Sequence, residues 1–216
     1  MWLSYPDIEP TLKKLGVNPK DPHPGDPSKP YYTLPVIQDD NGDEPVVVAD
    51  SLTIIEYLEE KYPERPVFAN TGKALQYSFE ACVRVYVGMN MNPFVRGSTW
   101  LILDKRGQEY FRDTREKWDG MKLEEASPKG PIRDGHWKNL EQGFNKLAKV
   151  MNRNGTTSLF VAGGETPTFG DFILLSFLKW MKGILGDECE EYGFSKWDDG
   201  RWAKFLEKTE EWQKVH

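Results

Sequence analysis

The chain has 216 residues, enough for one large domain or two small ones with their own cores. Its 28 basic and 34 acidic residues give a net charge of −6, which argues against binding to nucleic acid or an anionic membrane, because both require a basic face. The sequence has neither an apolar run near the roughly 20 residues of a membrane helix nor a secretion leader, so we expect a cytoplasmic protein. The widely separated Cys82 and Cys189 lack nearby histidines, which predicts neither a zinc site nor a disulfide framework.

The first 30 residues predict little regular structure. A short strand is expected at 3–5, and one or two helical turns at 10–15. The stretch 18–30 contains five prolines and no large apolar residue. Proline lacks a backbone donor and fixes φ, so this stretch excludes a regular helix or an inner strand and predicts an exposed loop.

A hairpin and a helix are predicted next. Strands at 32–38 and 45–48 are joined by a turn that carries Asn41-Gly42, a dipeptide typical of hairpins. A helix follows at once, capped by Asp50 or Ser51, with apolar residues at helical spacing.

Almost every segment after residue 70 has the periodicity of a helix. The predicted helices are 74–92, 94–103, 108–117, 136–152, 168–185 and 199–214, with a break or a kink at Pro93 and a loop at 126–135. These patterns predict an α/β piece in residues 1–70, followed by an all-helical domain in residues 71–216.

Pro35 lies inside the strand-like run Thr33-Leu34-Pro35-Val36-Ile37. A proline cannot donate to a strand ladder, so it normally marks an edge or a strand start. One explanation is an ordinary trans proline at the start of the strand. The other is a cis Leu34–Pro35 bond that turns the chain and exposes the backbone of Leu34 to a peptide-like ligand.

Asp50-Ser51 directly follows the predicted hairpin. A serine hydroxyl together with the free N–H groups of a helix start can bind a carboxylate, and Asp50 could hold the ammonium group of the same ligand. The alternative is an ordinary helix cap. Further along, Thr168 and Asp171 have the spacing of a capping box, which predicts the start of a buried helix with a structural role.

Together and in this order, these features resemble the cytosolic glutathione transferase family. The proline-containing strand, the hairpin and the helix that starts at Asp50-Ser51 look like the second half of its thioredoxin-like domain. The segment 160–172 looks like the start of the core helix in its all-helical domain. The resemblance covers essentially the whole chain, and the opening residues look most similar to a fungal-specific, serine-type class related to β-etherases.

The resemblance implies glutathione as co-substrate. The backbone of Leu34, just before cis-Pro35, would pair with the cysteinyl part, and Ser51 with the helix N-terminus would take the γ-glutamyl carboxylate. Asp50, where the family usually has Glu or Gln, would contact the ammonium group. Lys29 is the candidate for the glycyl carboxylate.

The resemblance also implies a hydrophobic aromatic co-substrate. Its pocket would be lined by Tyr86, Asn90, Phe94 and Trp100, with core packing as the alternative for each of them. The expected reaction is conjugation or ether cleavage by the glutathione thiolate, as part of detoxification. The alternatives are a noncatalytic, ligandin-type member and a scaffold that binds protein partners.

One departure from the family concerns the front of the thioredoxin-like domain. The sequence starts at what looks like the second strand, so the first strand and helix, with the catalytic Tyr, Ser or Cys, are missing. No catalytic residue is identified, and Ser4 or Tyr5 is the candidate for a substitute donor. We therefore expect a truncated or alternatively started chain, or a homodimer whose subunits exchange N-terminal segments.

Overall fold

The computed structural model describes residues 2–68 and 71–214, and these divide into two compact units. The first is drawn from Met1–Pro66 and Trp100–Leu123, and the second from Val67–Thr99 and Glu124–His216. Trp100–Leu123 therefore falls in the first unit, although the sequence pattern assigned it to the helical domain. The domain limits 1–70 and 71–216 stay a prediction.

The predicted hairpin is present in the first unit. Strands β3 (Val36–Asp39) and β4 (Val46–Ala49) form an antiparallel sheet. The ladder pairs Val36 with Ala49 at one end and Asp39 with Val46 at the other, so the Asn-Gly turn lies where the sequence predicts it. Helix α2 (Ser51–Lys61) begins two residues after β4 and buries Ile54.

The proline-rich stretch 18–30 is not only a loop, and the prediction was wrong in this respect. It contains a small antiparallel sheet of β1 (Pro22–His23) and β2 (Asp26–Pro30), which pairs Pro22 with Pro30 and His23 with Asp26. Proline is tolerated here because each strand of a two-stranded sheet is an edge. The His23 ring packs edge-on against Trp118 at a centroid distance of 5.0 Å.

The predicted strand at 3–5 is also wrong. Residues Tyr5–Asp7 form a 3₁₀ turn that leads into α1 (Ile8–Lys14), and Pro6 stands at the start of that turn, where its missing N–H costs nothing. The Tyr5 ring packs edge-on against Phe111 of α5 (Lys105–Asp119) with a centroid distance of 5.6 Å. This aromatic contact, which a local pattern does not encode, holds the segment against α5.

The second unit is helical. Its helices are α3 (Lys73–Val83), α4 (Met89–Ser98), α6 (Pro131–Met151), α7 (Phe169–Leu185), α8 (Glu188–Glu191) and α9 (Arg201–Lys208). The core is lined by side chains with no exposed surface, among them Val83, Leu140, Phe144, Leu178 and Trp202. Helix α7 begins with the predicted capping box of Thr168 and Asp171, which is confirmed.

Two details of the helical unit differ from the sequence expectation. The chain does not break at Pro93, which lies inside α4, and a π-helical segment, Arg84–Gly88, joins α3 to α4. Helix α6 begins at Pro131 rather than 136, because proline suits the first helical turn. Within the described ranges, no helix is both long and apolar enough to cross a membrane.

Candidate functional site

The open end of the β3–β4 hairpin brings two predicted segments together. Val36 and Ala49 are the outermost pair of the ladder, so Pro35 and Asp50 leave the two strands side by side. The Leu34–Pro35 peptide bond is cis, the second of the two explanations considered from the sequence. The Leu34 side chain is 45% exposed, and the backbone of Leu34 forms no hydrogen bond within the described residues.

Asp50 is the cap of α2. Its Oδ1 accepts hydrogen bonds from the backbone N–H groups of Leu52, at 3.0 Å, and Thr53, at 3.1 Å. Its φ is +77°, which is unusual for a residue with a side chain and costs about 1–3 kcal/mol. The two cap bonds offset part of this cost, since a capping side chain contributes about 1 kcal/mol.

Ser51 retains the free hydrogen-bond donors of the helix start. The N–H of Ile54 donates to the carbonyl of Asp50 at 2.8 Å, and Asp50 Oδ1 occupies the two N–H groups in between. The helix start therefore offers one backbone N–H, that of Ser51, rather than the several that the sequence suggested. In the described part of the chain, this N–H, the Ser51 hydroxyl and Asp50 Oδ2 have no hydrogen-bond partner.

This arrangement suits the head group of an amino acid. Two donors on Ser51 can bind a carboxylate, and a carboxylate oxygen on Asp50 can accept from an ammonium group. Both groups sit on a helix start, where the positive end of the helix dipole also favours an anion.

Lys29 is not brought to this end of the hairpin. It lies on β2 and pairs with Asp26, with 2.9 Å between Lys29 Nζ and Asp26 Oδ2. It also lines a cavity of about 680 Å³ that is formed with α1 and α5. Its assignment to the glycyl carboxylate stays a prediction.

The predicted residues for the hydrophobic co-substrate have different surroundings. Phe94 is fully buried and packs against Trp137 at a centroid distance of 5.0 Å, which corresponds to the core-packing alternative. Asn90 Nδ2 donates to the carbonyl of Tyr86, in the π-helical segment, at 2.7 Å. Trp100 belongs to the first unit.

The two substitute donors near the start of the chain are engaged by α5 and the residue that caps it. The Ser4 hydroxyl donates to Asp104 Oδ1 at 3.2 Å. Burial against α5 raises the pKa of Tyr5, although the Arg115 guanidinium opposes this shift. A tyrosine with a raised pKa is a weaker proton donor to a thiolate, so neither residue is assigned the catalytic role.

A carboxylate that the sequence analysis missed holds the hairpin turn to α2. Asp39 is 9% exposed, and its Oδ2 accepts hydrogen bonds from the hydroxyls of Tyr57, at 2.7 Å, and Tyr62, at 2.8 Å. Three hydrogen bonds lower the pKa of Asp39 to about 2: the one from the backbone N–H of Asn41 has the largest effect, and those from the two tyrosines add to it. The available signal was an acidic residue at the end of a predicted strand, with two tyrosines on the following helix.

The described residues contain no group of three or more His, Cys, Asp or Glu side chains arranged to hold a metal ion.

Two family models match the chain. Residues 6–66 match the N-terminal domain of glutathione S-transferase, and residues 74–212 match its C-terminal domain. The curated glutathione S-transferase-like protein ustS of Aspergillus flavus is 33% identical over an alignment of 192 residues. The match covers 82% of this chain. The chain spans 65% of the length of that relative.

Solved structures resemble the chain over nearly its whole length. A glutathione S-transferase of Ceriporiopsis subvermispora, crystallised in complex with glutathione, is 34% identical to this chain and superimposes with a TM-score of 0.88. The match covers 98% of this chain and 84% of the chain in that structure. Glutathione transferase GSTFuA3 of Phanerochaete chrysosporium is 35% identical with a TM-score of 0.86, covering 100% of this chain and 84% of its own. The predicted fold, a thioredoxin-like part followed by a helical domain, is confirmed by these matches.

Proposed function

The chain belongs to the glutathione S-transferase family, and on this premise we propose that it binds glutathione at the open end of the β3–β4 hairpin and joins it through its sulfur to an aromatic electrophile. The observation that carries the proposal is the pair of unoccupied donors on Ser51 beside the free Oδ2 of Asp50. The relative from Ceriporiopsis subvermispora, which was crystallised with glutathione, supports the choice of ligand.

Each end of the tripeptide has a candidate partner. The γ-glutamyl carboxylate would accept from the N–H and hydroxyl of Ser51, and its ammonium group would donate to Asp50 Oδ2. The cysteinyl part would pair with the backbone of Leu34 as an added strand. Lys29 would take the glycyl carboxylate only by leaving Asp26, a small cost because the pair is exposed.

The thiolate would attack an electrophilic carbon of an aromatic compound, so that a carbon–sulfur bond forms while the bond from that carbon to a halogen (conjugation) or to an ether oxygen (ether cleavage) breaks. The halide or phenolate leaves, and the proton of the thiol passes to solvent. Tyr86 and Asn90 are retained as residues for this co-substrate, while Phe94 is explained by its place in the core. None of the described residues is assigned as the donor that stabilises the thiolate. We expect the lack of such a donor to lower the rate of turnover more than the affinity for glutathione, because the donor acts on the reacting sulfur.

The proposal extends to the setting of the protein. The named relatives come from fungi, which supports a fungal protein, and we propose the serine-type class, a cytoplasmic location and a role in detoxification. We also propose a homodimer, which light scattering would reveal as twice the mass of the 24.9 kDa chain. Exchange of N-terminal segments between its subunits stays a prediction.

The test combines glutathione binding with turnover. We expect the protein to be retained on immobilised glutathione and eluted by free glutathione, and to conjugate 1-chloro-2,4-dinitrobenzene. Ser51→Ala should weaken glutathione binding by about 10-fold or more, because it removes a hydrogen bond to a charged group. Ser176→Ala is the matched control, because the exposed Ser176 hydroxyl bonds only to the carbonyl of Ile173.

The outcomes separate the two parts of the proposal. Unchanged glutathione affinity in Ser51→Ala would refute the proposed site. Retention on glutathione without conjugation of any aromatic electrophile would refute the transferase reaction and leave a noncatalytic binding protein.

A further inference from the structure

The cavity that Lys29 lines lies within the first unit, between α1, the β1–β2 hairpin and one face of α5. Its volume of about 680 Å³ is in the range of small-molecule sites. Helix α5 contributes Asp113, Thr114, Lys117 and Trp118, two neighbouring pairs that share one face because they lie one helical turn apart. Of the residues proposed for glutathione, Lys29 lines this cavity, whereas Leu34, Pro35, Asp50 and Ser51, which carry the other contacts, do not.

Two exposed charged groups at this cavity have no ion-pair partner among the residues that the structure describes. On the other walls the charges pair locally, with Lys13 on Glu9 at 2.7 Å and Lys29 on Asp26 at 2.9 Å. Asp113 and Lys117 lie one turn apart on α5, and neither forms an ion pair with another described residue. The cavity therefore presents one free carboxylate and one free ammonium group.

The same cavity has an aromatic wall. The His23 Nδ1 accepts a hydrogen bond from the N–H of Gly25 at 3.1 Å, which assigns the proton of the neutral ring to Nε2. Gly25 packs directly on the indole of Trp118, since a Cβ there would lie 2.1 Å from Nε1. The guanidinium of Arg115 stacks on Trp118 at 4.2 Å, so this indole is held in place from two sides.

We propose that this cavity binds a small zwitterion with a planar apolar group, of the aromatic α-amino acid type. Its carboxylate pairs with Lys117, its ammonium group with Asp113, and its ring lies against His23 and Trp118. A purely anionic ligand would meet the free Asp113 carboxylate, and a purely cationic one would meet the free Lys117 ammonium group. A zwitterion satisfies both, and this site does not depend on the proposed function.

The test uses three ligands with the same ring. Phenylalanine carries both charges, phenethylamine lacks the carboxylate and 3-phenylpropanoate lacks the ammonium group. We expect ligand-observed NMR titrations of the full chain to give saturable binding. Phenylalanine should bind about fivefold more tightly than either analogue, the upper range for a solvent-accessible ion pair.

Two charge-neutral variants should act on different members of this series. Lys117→Gln should abolish the advantage of phenylalanine over phenethylamine and keep its advantage over 3-phenylpropanoate. Asp113→Asn should do the reverse. Lys179→Gln, a change at an exposed lysine of the second unit, is the matched control and should alter nothing.

Several results would overturn the proposal. These are the absence of saturable binding, equal affinity for the three ligands, and an unaltered ligand series in both α5 variants. Competition with glutathione tests the separateness of the cavity, since phenylalanine should bind equally well in saturating glutathione and in Ser51→Ala. Competitive displacement by glutathione would make the cavity part of the glutathione site and refute a separate one. A chain that binds no glutathione would leave the phenylalanine titrations interpretable.

Discussion

Gly143 lets α6 approach the π-helical segment closely, because a side chain at this position would collide with the backbone of that segment. An added Cβ at this position would lie 1.9 Å from the carbonyl oxygen of Tyr86 and 3.0 Å from Asn90 Nδ2. Real Cβ atoms almost never come closer than 3.0 Å to another heavy atom, so Gly143→Ala requires the two helices to separate by about 1 Å. The atom in the way belongs to the backbone and cannot rotate aside.

The size of the effect follows from two opposing contributions. Overpacking of a rigid contact costs about 1–3 kcal/mol, and here the upper end applies because a helix must move. Alanine gains up to about 1 kcal/mol over glycine inside a helix. We therefore expect Gly143→Ala to lower the free energy of unfolding by about 2 kcal/mol.

The same helix provides the control. Gly135 also lies in α6, and a Cβ added there would have no atom within 4 Å. Gly135→Ala should therefore raise the free energy of unfolding by up to about 1 kcal/mol, the opposite sign for the same substitution.

Urea unfolding followed by circular dichroism measures both changes. The two variants should differ by about 3 kcal/mol, which is roughly 100-fold in the folding equilibrium constant. A Gly143→Ala protein as stable as the wild type would refute the close approach of α6 to Tyr86.

Three further predictions concern ionisable groups. The pKa of Asp39 is about 2 rather than 3.8, so its ionised form stabilises the fold above about pH 4. This stabilisation is lost as the pH falls towards 2, and Asp39→Asn should flatten that acid dependence in urea unfolding. Asp171→Ala should cost about 3 kcal/mol in the same assay, because it leaves the buried N–H of Thr168 and the part-buried N–H of Val161 without their acceptor. A change at the exposed Asp187, Asp187→Ala, should have little effect. Burial raises the pKa of Cys189 to about 11, so a thiol reagent at pH 8 should label it only after unfolding. Because Cys82 is a second free and only partly buried thiol, the label is located by peptide mass spectrometry, and label on Cys189 in the native protein would contradict its full burial.

The parts of the fold that the sequence predicts correctly are specified by neighbouring residues. The Asn41-Gly42 turn joins two short apolar runs, and the helix after it has its cap immediately before it. The spacing of Thr168 and Asp171 is likewise sufficient to place the start of α7. In each case the residues that stabilise the element lie within a few positions of it, so a local pattern contains the necessary information.

The parts that the sequence predicts wrongly depend on distant contacts. The β1–β2 sheet consists of prolines and polar residues, and it is held by Trp118 of α5, which lies about ninety positions along the chain from His23. The first helical turns depend in the same way on the packing of Tyr5 on α5. Proline content alone predicts a loop in the first region, because the aromatic partner that stabilises the strands cannot be identified from spacing.

The candidate site lies between these two cases. The sequence places Asp50 and Ser51 at the start of a helix, but it does not show which donors remain free. That depends on the φ of +77° at Asp50, which aims Oδ1 at the N–H groups of Leu52 and Thr53. The count of one free N–H, on Ser51, follows from this backbone conformation and not from residue type.

The conformation of Asp50 also explains why the helix start is suited to binding. Aspartate is short enough to cap its own helix, so one oxygen fixes the first turn while the other remains available to a ligand. The backbone cost of about 1–3 kcal/mol is offset in part by cap bonds that exist before any ligand arrives. The donors of Ser51 are therefore already oriented, and a carboxylate that binds there does not have to order the first turn of α2. Binding to a pre-ordered site retains affinity that a flexible loop would lose as conformational entropy.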